Sequence, residues 1–138
     1  MQELILDTNF ILAFVTDRNP AQQEKAAEYF LKAAGFKTLL LCPQSVIIEF
    51  VYVLEKVYRR PNGQIRQLLA DLLAFPGVQV VQEIDLAWVL TYWPSQVGDF
   101  GDALVAGVAK VRKEARVATF DQKLRASLKN AGIRVLEM

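Results

Sequence analysis

Leu4-Ile5-Leu6-Asp7-Thr8-Asn9 sets three apolar residues together and then turns polar at a carboxylate. A run this short, ended by turn-forming residues, reads as a strand covered on both faces. Four further stretches share its character: residues 38–42, 78–81, 116–120 and 133–136. Between them, apolar residues recur at helical spacing over residues 9–15, 21–34, 44–58, 64–75, 85–92, 100–113 and 122–130. Gly35 and Gly132 stop two of these segments, Pro43 suits the first turn of a third, and Pro61-Asn62-Gly63 and Pro76-Gly77 mark turns. Strands alternating with helices predict an α/β/α sandwich of three layers around a mainly parallel sheet of about five strands. In such sheets ligands gather beyond the carboxyl ends of the strands. Chemistry is therefore expected just after Leu6, Cys42, Val81, Phe120 and Leu136.

The chain has 138 residues, the length of a single domain over residues 1–138. With 53% hydrophobic residues it can bury a core without help from a disulfide or a structural metal. Sixteen Lys and Arg against 15 Asp and Glu leave a net charge of +1. That excludes a strongly basic arm and an acidic tail, but a local patch for nucleic acid fits within a neutral sum. The chain has no histidine, which removes Ser-His-Asp and Cys-His catalysis, histidine acid–base pairs and HExxH zinc sites. Its one cysteine, Cys42, follows Leu39, Leu40 and Leu41 and reads as a buried, inert thiol. Met1-Gln2-Glu3 is not a basic leader, and residues 38–54, the most apolar stretch, are interrupted by Pro43, Gln44, Ser45 and Glu49. A cytoplasmic protein without a membrane segment is the expectation.

Carboxylates and hydroxyls then carry the chemistry. Asp7 and Asp121 each follow a strand, so parallel strands bring both to one edge; each also suits a helix N-cap. Glu49 lies in Val46-Ile47-Ile48-Glu49-Phe50-Val51-Tyr52-Val53-Leu54, apolar nearly all round, which predicts a buried helix. A buried carboxylate needs a cation, a metal or a water-filled cleft, a structural ion pair being the plain alternative. Asp99 reads as an N-cap, and Asp102, favoured by the helix dipole, projects from a packed face of Ala103, Ala106 and Gly107. Asp7, Glu49, Asp102 and Asp121 would meet at one end of the sheet. Two carboxylates ~4 Å apart repel by about 4 kcal/mol at an effective dielectric of about 20. The cluster therefore needs protons or a cation. Oxygen ligands without His or Cys select Mg²⁺ or Mn²⁺, ions that serve phosphate chemistry.

These residues give the whole chain a resemblance to the PIN-domain proteins, in particular to the VapC-type ribonuclease toxins of toxin–antitoxin pairs. The matching motifs are Leu6-Asp7-Thr8-Asn9, Glu49 on its apolar helix, Asp102-Ala103-Leu104-Val105-Ala106, and Thr119-Phe120-Asp121. The resemblance implies a PIN-like sandwich and a Mg²⁺- or Mn²⁺-dependent endoribonuclease. It implies a homodimer held inactive by a small antitoxin whose C-terminal segment fills the acidic groove. It makes Asp7 and Asp102 the principal metal ligands, with Glu49 and Asp121 completing the catalytic set. Asp99 is implied as a further acidic contributor, Thr8 and Thr119 as hydroxyls orienting carboxylates or water, and Asn9 as a partner of nearby backbone.

Arg18, Lys56, Arg59, Arg60, Lys110, Arg112 and Lys113 are candidates to hold an RNA backbone, against the ordinary reading of solvated surface charge. Trp88, Tyr92 and Trp93 could stack on a flipped base, though their near-helical spacing favours a packing seam. Two other readings stay open. A phosphatase or phosphotransferase would use Asp7 as nucleophile, but the haloacid-dehalogenase pattern wants a second Asp where Asn9 stands. A binding module would keep the fold without the activity.

Overall fold

The computed structural model describes residues 1–138. Strands β1 (Gln2–Leu6), β2 (Thr38–Pro43), β3 (Val78–Val81) and β4 (Arg116–Ala118) form one sheet in the order β3-β2-β1-β4. Every pairing is parallel, with Leu4 opposite Leu40, Cys42 opposite Val80 and Leu6 opposite Ala118. Seven helices flank it: α1 (Thr8–Val15), α2 (Pro20–Ala34), α3 (Gln44–Lys56), α4 (Asn62–Ala74), α5 (Leu86–Tyr92), α6 (Phe100–Val111) and α7 (Gln122–Asn130).

Successive residues of a strand point to opposite faces. Leu4, Ile5 and Leu6 are nevertheless all fully buried, as are Leu40, Leu41 and Cys42. Both faces of the two central strands are therefore covered, which is why their sequence is continuously apolar rather than alternating. β3 lies at the edge, and its Gln79 and Val80 are exposed. Cys42 sits in the core, and burial pushes its thiol up to about 12, so it stays protonated. The turn into β3 depends on Gly77, whose φ is +84° and where a Cβ would stand 2.8 Å from the Cβ of Ala33 in α2.

The sheet has four strands, not about five. Residues 133–136 contribute only one bridge, between Val135 and Val117. Arg134 and Leu136 exchange backbone hydrogen bonds with Val117, and there the ladder stops. The Leu136 carbonyl, which would continue it, accepts from Arg125 Nη1 at 2.7 Å. A side chain has taken the acceptor that a fifth strand would have used.

The second difference concerns α3. Only Val46, Phe50 and Leu54 are buried, a single stripe at helical spacing. Ile48 is 68% exposed and Tyr52 59%, and Glu49 on the same outer side is exposed too. Glu49 is thus not a buried charge requiring compensation. The helix carries two apolar faces, and only one packs.

This arrangement makes a simple contrast within one helix. Phe50→Ala should cost about 3–5 kcal/mol in urea unfolding, as for a fully buried aromatic. Ile48→Ala should stay within about 0.5 kcal/mol. Equal losses would mean that the other face of α3 packs on the sheet.

Candidate active site

β1 has β2 on one side and β4 on the other, so the chain winds away from the β1–β4 seam in opposite senses. This is the switch point of the sheet, where a crevice opens beyond the strand ends. Asp7 leaves β1 there. Its backbone N–H donates to the Ala118 carbonyl at 3.3 Å, its Oδ1 accepts from the Phe10 N–H at 2.8 Å, and it is 4% exposed. The second oxygen, Oδ2, accepts a short hydrogen bond from the Thr119 hydroxyl. Thr119 Oγ1 in turn accepts from the Asp121 N–H at 3.1 Å, and Asp121 Oδ1 caps α7 by accepting from Leu124 N–H at 3.1 Å. Thr119 therefore ties the carboxylate after β1 to the turn after β4.

α6 supplies the next pair. Asp99 is its N-cap, accepting from the Asp102 N–H at 2.9 Å, and Asp102 stands half-buried in the first turn. Glu49 arrives from α3. A Cβ placed on Gly101 would lie 3.1 Å from Glu49 Oε2 and 3.1 Å from Asp99 Oδ1. A side chain at Gly101 would press on both carboxylates. A cavity of about 170 Å³ is lined by Asp99, Asp102, Asp121, Lys123 and Ser127.

The electrostatics show a shared negative field. Burial pushes the Asp102 carboxyl up to about 7, with the charges of Asp99, Asp7, Asp121 and Glu49 adding to it. Burial likewise raises Asp7 to about 6 against the Thr119 and Phe10 hydrogen bonds, with Asp121 and Glu49 contributing. No three acidic side chains stand close enough to grip one ion directly. The donor set still fits a hydrated divalent cation. All donors are hard oxygens, and Mg²⁺ is commonly held by only one or two carboxylates while keeping several waters. Thr8 Oγ1, next to Asp7, is buried without a hydrogen-bond partner, and coordinated water is one group able to satisfy such a hydroxyl.

The remaining candidates divide. Asn9 is exposed, and its carbonyl and side-chain oxygens accept from Arg18 at 3.4 and 3.5 Å, while Arg18 also reaches Tyr58 Oη at 3.3 Å. Arg18 thus stands on the acidic edge. Lys110 and Lys113 line a cavity beside Ala115, before β4, and Arg112 faces Glu3 of β1 at 3.9 Å. These three lie at the amino-terminal edge of the sheet, away from the carboxylates. Lys56 pairs with Glu55 at 3.4 Å. Trp88 is buried and stacks on Tyr92 at 4.4 Å, a packing seam, while Trp93 meets the exposed ring of Phe100 edge-on. Two residues at the site, Gly101 and Arg125, are not singled out by the sequence patterns above. A glycine between two acids in a helix's first turn and an arginine four residues after Asp121 were the available signals.

The raised value at Asp102 fixes a sign. A carboxyl whose folded pKa exceeds its unfolded value of 3.8 favours folding below that value, and the benefit is lost as pH rises through about 7. Full linkage over such a shift is about 4 kcal/mol; for a half-exposed, screened group about 1–2 kcal/mol is expected. Chemical unfolding in EDTA should show Asp102→Asn gaining that much on the unsubstituted protein between pH 4.5 and pH 8. A difference independent of pH would remove the shared field.

Residues 4–127 match the family model of the PIN domain. No curated protein sequence matches the chain. Among solved structures, the VapC20 toxin of Mycobacterium tuberculosis, described as cleaving the sarcin-ricin loop, is 18% identical with a TM-score of 0.71, over 98% of this chain and 99% of that one. VapBC2 of Rickettsia felis, solved with a DNA fragment from its promoter, is 17% identical with a TM-score of 0.70, over 99% and 98% of the two chains. The PIN domain endonuclease Utp24 is 19% identical with a TM-score of 0.54, over 92% of this chain and 77% of that one. At these identities the likeness is one of fold, and the family match over most of the sequence is what decides membership: the chain belongs to the PIN domain family.

Proposed function

We propose that residues 1–138 form one nuclease domain, a divalent-metal-dependent endoribonuclease that acts as the toxin of a toxin–antitoxin pair. The observation that carries the reading is the carboxylate field at the switch point, where Asp7 and Asp102 are both raised by burial and by their acidic neighbours. Such a field is costly for the protein alone and favourable for a cation. VapC20, which shares the fold, is described as a toxin that cleaves the sarcin-ricin loop, and VapBC2, which shares it too, was solved on a fragment of its own promoter; both support the reading.

In this reading Asp7 and Asp102 are the principal ligands of Mg²⁺ or Mn²⁺, with Glu49 and Asp121 reaching it directly or through water. When bound, the ion supplies positive charge to a phosphoryl oxygen and to the departing alkoxide, and makes nearby water more acidic. Thr119 and the Phe10 N–H hold the Asp7 carboxylate in one orientation. Asp99 fixes the start of α6, and with it Asp102. Glu49 and Asp121, both exposed, take up the proton of the water that attacks the phosphodiester in line. Thr8 and Asn9 support the site through ordered water and through Arg18.

The same reading includes a homodimer and a small antitoxin that covers the acidic groove. Apolar side chains left exposed on α3 and α5, among them Ile48, Tyr52 and Leu90, support a protein interface. No helix is long and apolar enough to cross a membrane, and a cytoplasmic site of action belongs to this proposal.

The test is cleavage of a mixed RNA pool with Mn²⁺. Asp7→Asn and Asp102→Asn should each lose about 100-fold or more in rate, the scale of removing a metal or electrostatic contact, with the circular dichroism of the fold retained. Full cleavage by either variant would overturn the mechanism. A phosphoryl-enzyme trapped at Asp7 would replace it with the phosphotransferase reading. Absence of both cleavage and Mn²⁺ binding would leave a binding module.

A further inference from the structure

A cavity of about 570 Å³ lies on the other side of the Thr119–Asp121 turn from the acidic cavity. Thr119, Phe120, Gln122, Arg125, Lys129 and Glu137 line it. Thr119 belongs to both places: its hydroxyl holds Asp7, and its carbonyl accepts from Arg125 Nη1 at 3.4 Å. One residue separates the principal carboxylate from a nearly buried guanidinium.

Two cations and one carboxylate face each other in this cavity. Arg125 is fixed by the carbonyls of Thr119 and Leu136, and its Nη2 donates to Glu137 Oε2 at 3.0 Å. Lys129 Nζ donates to the other oxygen, Glu137 Oε1, at 2.8 Å. One carboxylate is thus gripped by two cations, one on each oxygen, the geometry that suits a phosphate equally well. Glu137 is otherwise open to solvent, with a side chain 71% exposed. The Lys129 contact, with help from Arg125, holds its carboxyl below the usual carboxylate range. A polyanion approaching the acidic cluster is repelled unless cations stand beside it. Lys110, Arg112 and Lys113 stand at the far edge of the sheet and cannot serve. Arg125 and Lys129 can, on the side opposite Arg18 and Lys123, and the cavity has room for a nucleotide, with Gln122 and Phe120 in its wall.

We propose that this cavity is the subsite for the RNA nucleotide next to the one whose phosphate is cleaved, and that Glu137 occupies its phosphate position in the free protein. The assignment rests on the ribonuclease reading for its substrate class. Arg125 positions the flanking phosphate and Lys129 closes over it, while Glu137 acts as a built-in competitor that a stronger polyanion displaces.

The experiment measures the anisotropy of a fluorescein-labelled, 12-nucleotide single-stranded RNA in EDTA, where no cleavage occurs. Lys129→Ala should weaken binding about fivefold and lower the salt slope by about 0.7, the loss of one phosphate contact on a single strand. Glu137→Gln should tighten binding about threefold by freeing the cations, and Lys113→Ala, at the opposite edge, should change nothing. All three positions are exposed, so their folds should survive, which thermal melts check. With Mn²⁺, Lys129→Ala should raise KM while kcat moves less than about twofold, as uniform binding requires. Wild-type affinity in both Lys129→Ala and Glu137→Gln, an equal loss in Lys113→Ala, or no binding by the unsubstituted protein would overturn the subsite. Failure of the ribonuclease reading looks different: Asp102→Asn would cleave RNA normally while the binding pattern held.

Discussion

Leu6 pairs with Ala118 in parallel, and that one register decides where the chemistry stands. It brings the ends of β1 and β4 level, so Asp7 and Thr119 emerge side by side and hydrogen-bond across the seam. A parallel slip of one residue would send the side chains of one strand to the wrong face. Here Leu4, Ile5 and Leu6 and the facing Val117 and Ala118 are fully buried, so the register is held by packing on both faces. The hydrogen bond from Asp7 N–H to the Ala118 carbonyl extends the ladder one step past the strand. The site is thus the last rung of the sheet, not a loop laid over it.

Three of the acids at the candidate site also cap helices. Asp7, Asp99 and Asp121 are each the N-cap of a helix, and in each case Oδ1 takes the backbone N–H three residues on. Capping and ligand binding are usually weighed against each other as explanations of an acid at a strand–helix junction. In this fold the cap uses one oxygen, fixes the rotamer and leaves the other oxygen free of the helix. Asp102 caps nothing and carries the highest raised carboxyl, because it sits half-buried in the field of the other four. Gly101 completes the arrangement by leaving space where Glu49 arrives from a different helix. Like charges gathered in this way cost stability until protons or a cation neutralise them.

The central strands were legible because burial on both faces writes a continuous apolar run, as at Leu4-Ile5-Leu6 and Leu39-Leu40-Leu41-Cys42. Glu49 was misplaced for an equally physical reason. Helical periodicity marks apolar faces but cannot say which of two packs inward, and α3 has Ile48 and Tyr52 outside as well as Phe50 and Leu54 inside. The fifth strand was expected because Ile133 to Leu136 has strand composition, yet Arg125, a distant side chain, takes the Leu136 carbonyl. Such a bond leaves no trace in local pattern. The meeting of Asp7, Glu49, Asp102 and Asp121 is legible only in outline: strand ends place Asp7 and Asp121, whereas the approach of Glu49 on α3 to α6 depends on tertiary packing that local sequence does not carry.

Anomalous diffraction from crystals soaked in Mn²⁺ locates the ion without reference to activity. A peak is expected within about 2.0–2.2 Å of carboxylate oxygens from both Asp7 and Asp102, with water completing the shell. A fully soaked crystal with no peak between those two residues, or with its only peak elsewhere on the surface, would contradict it.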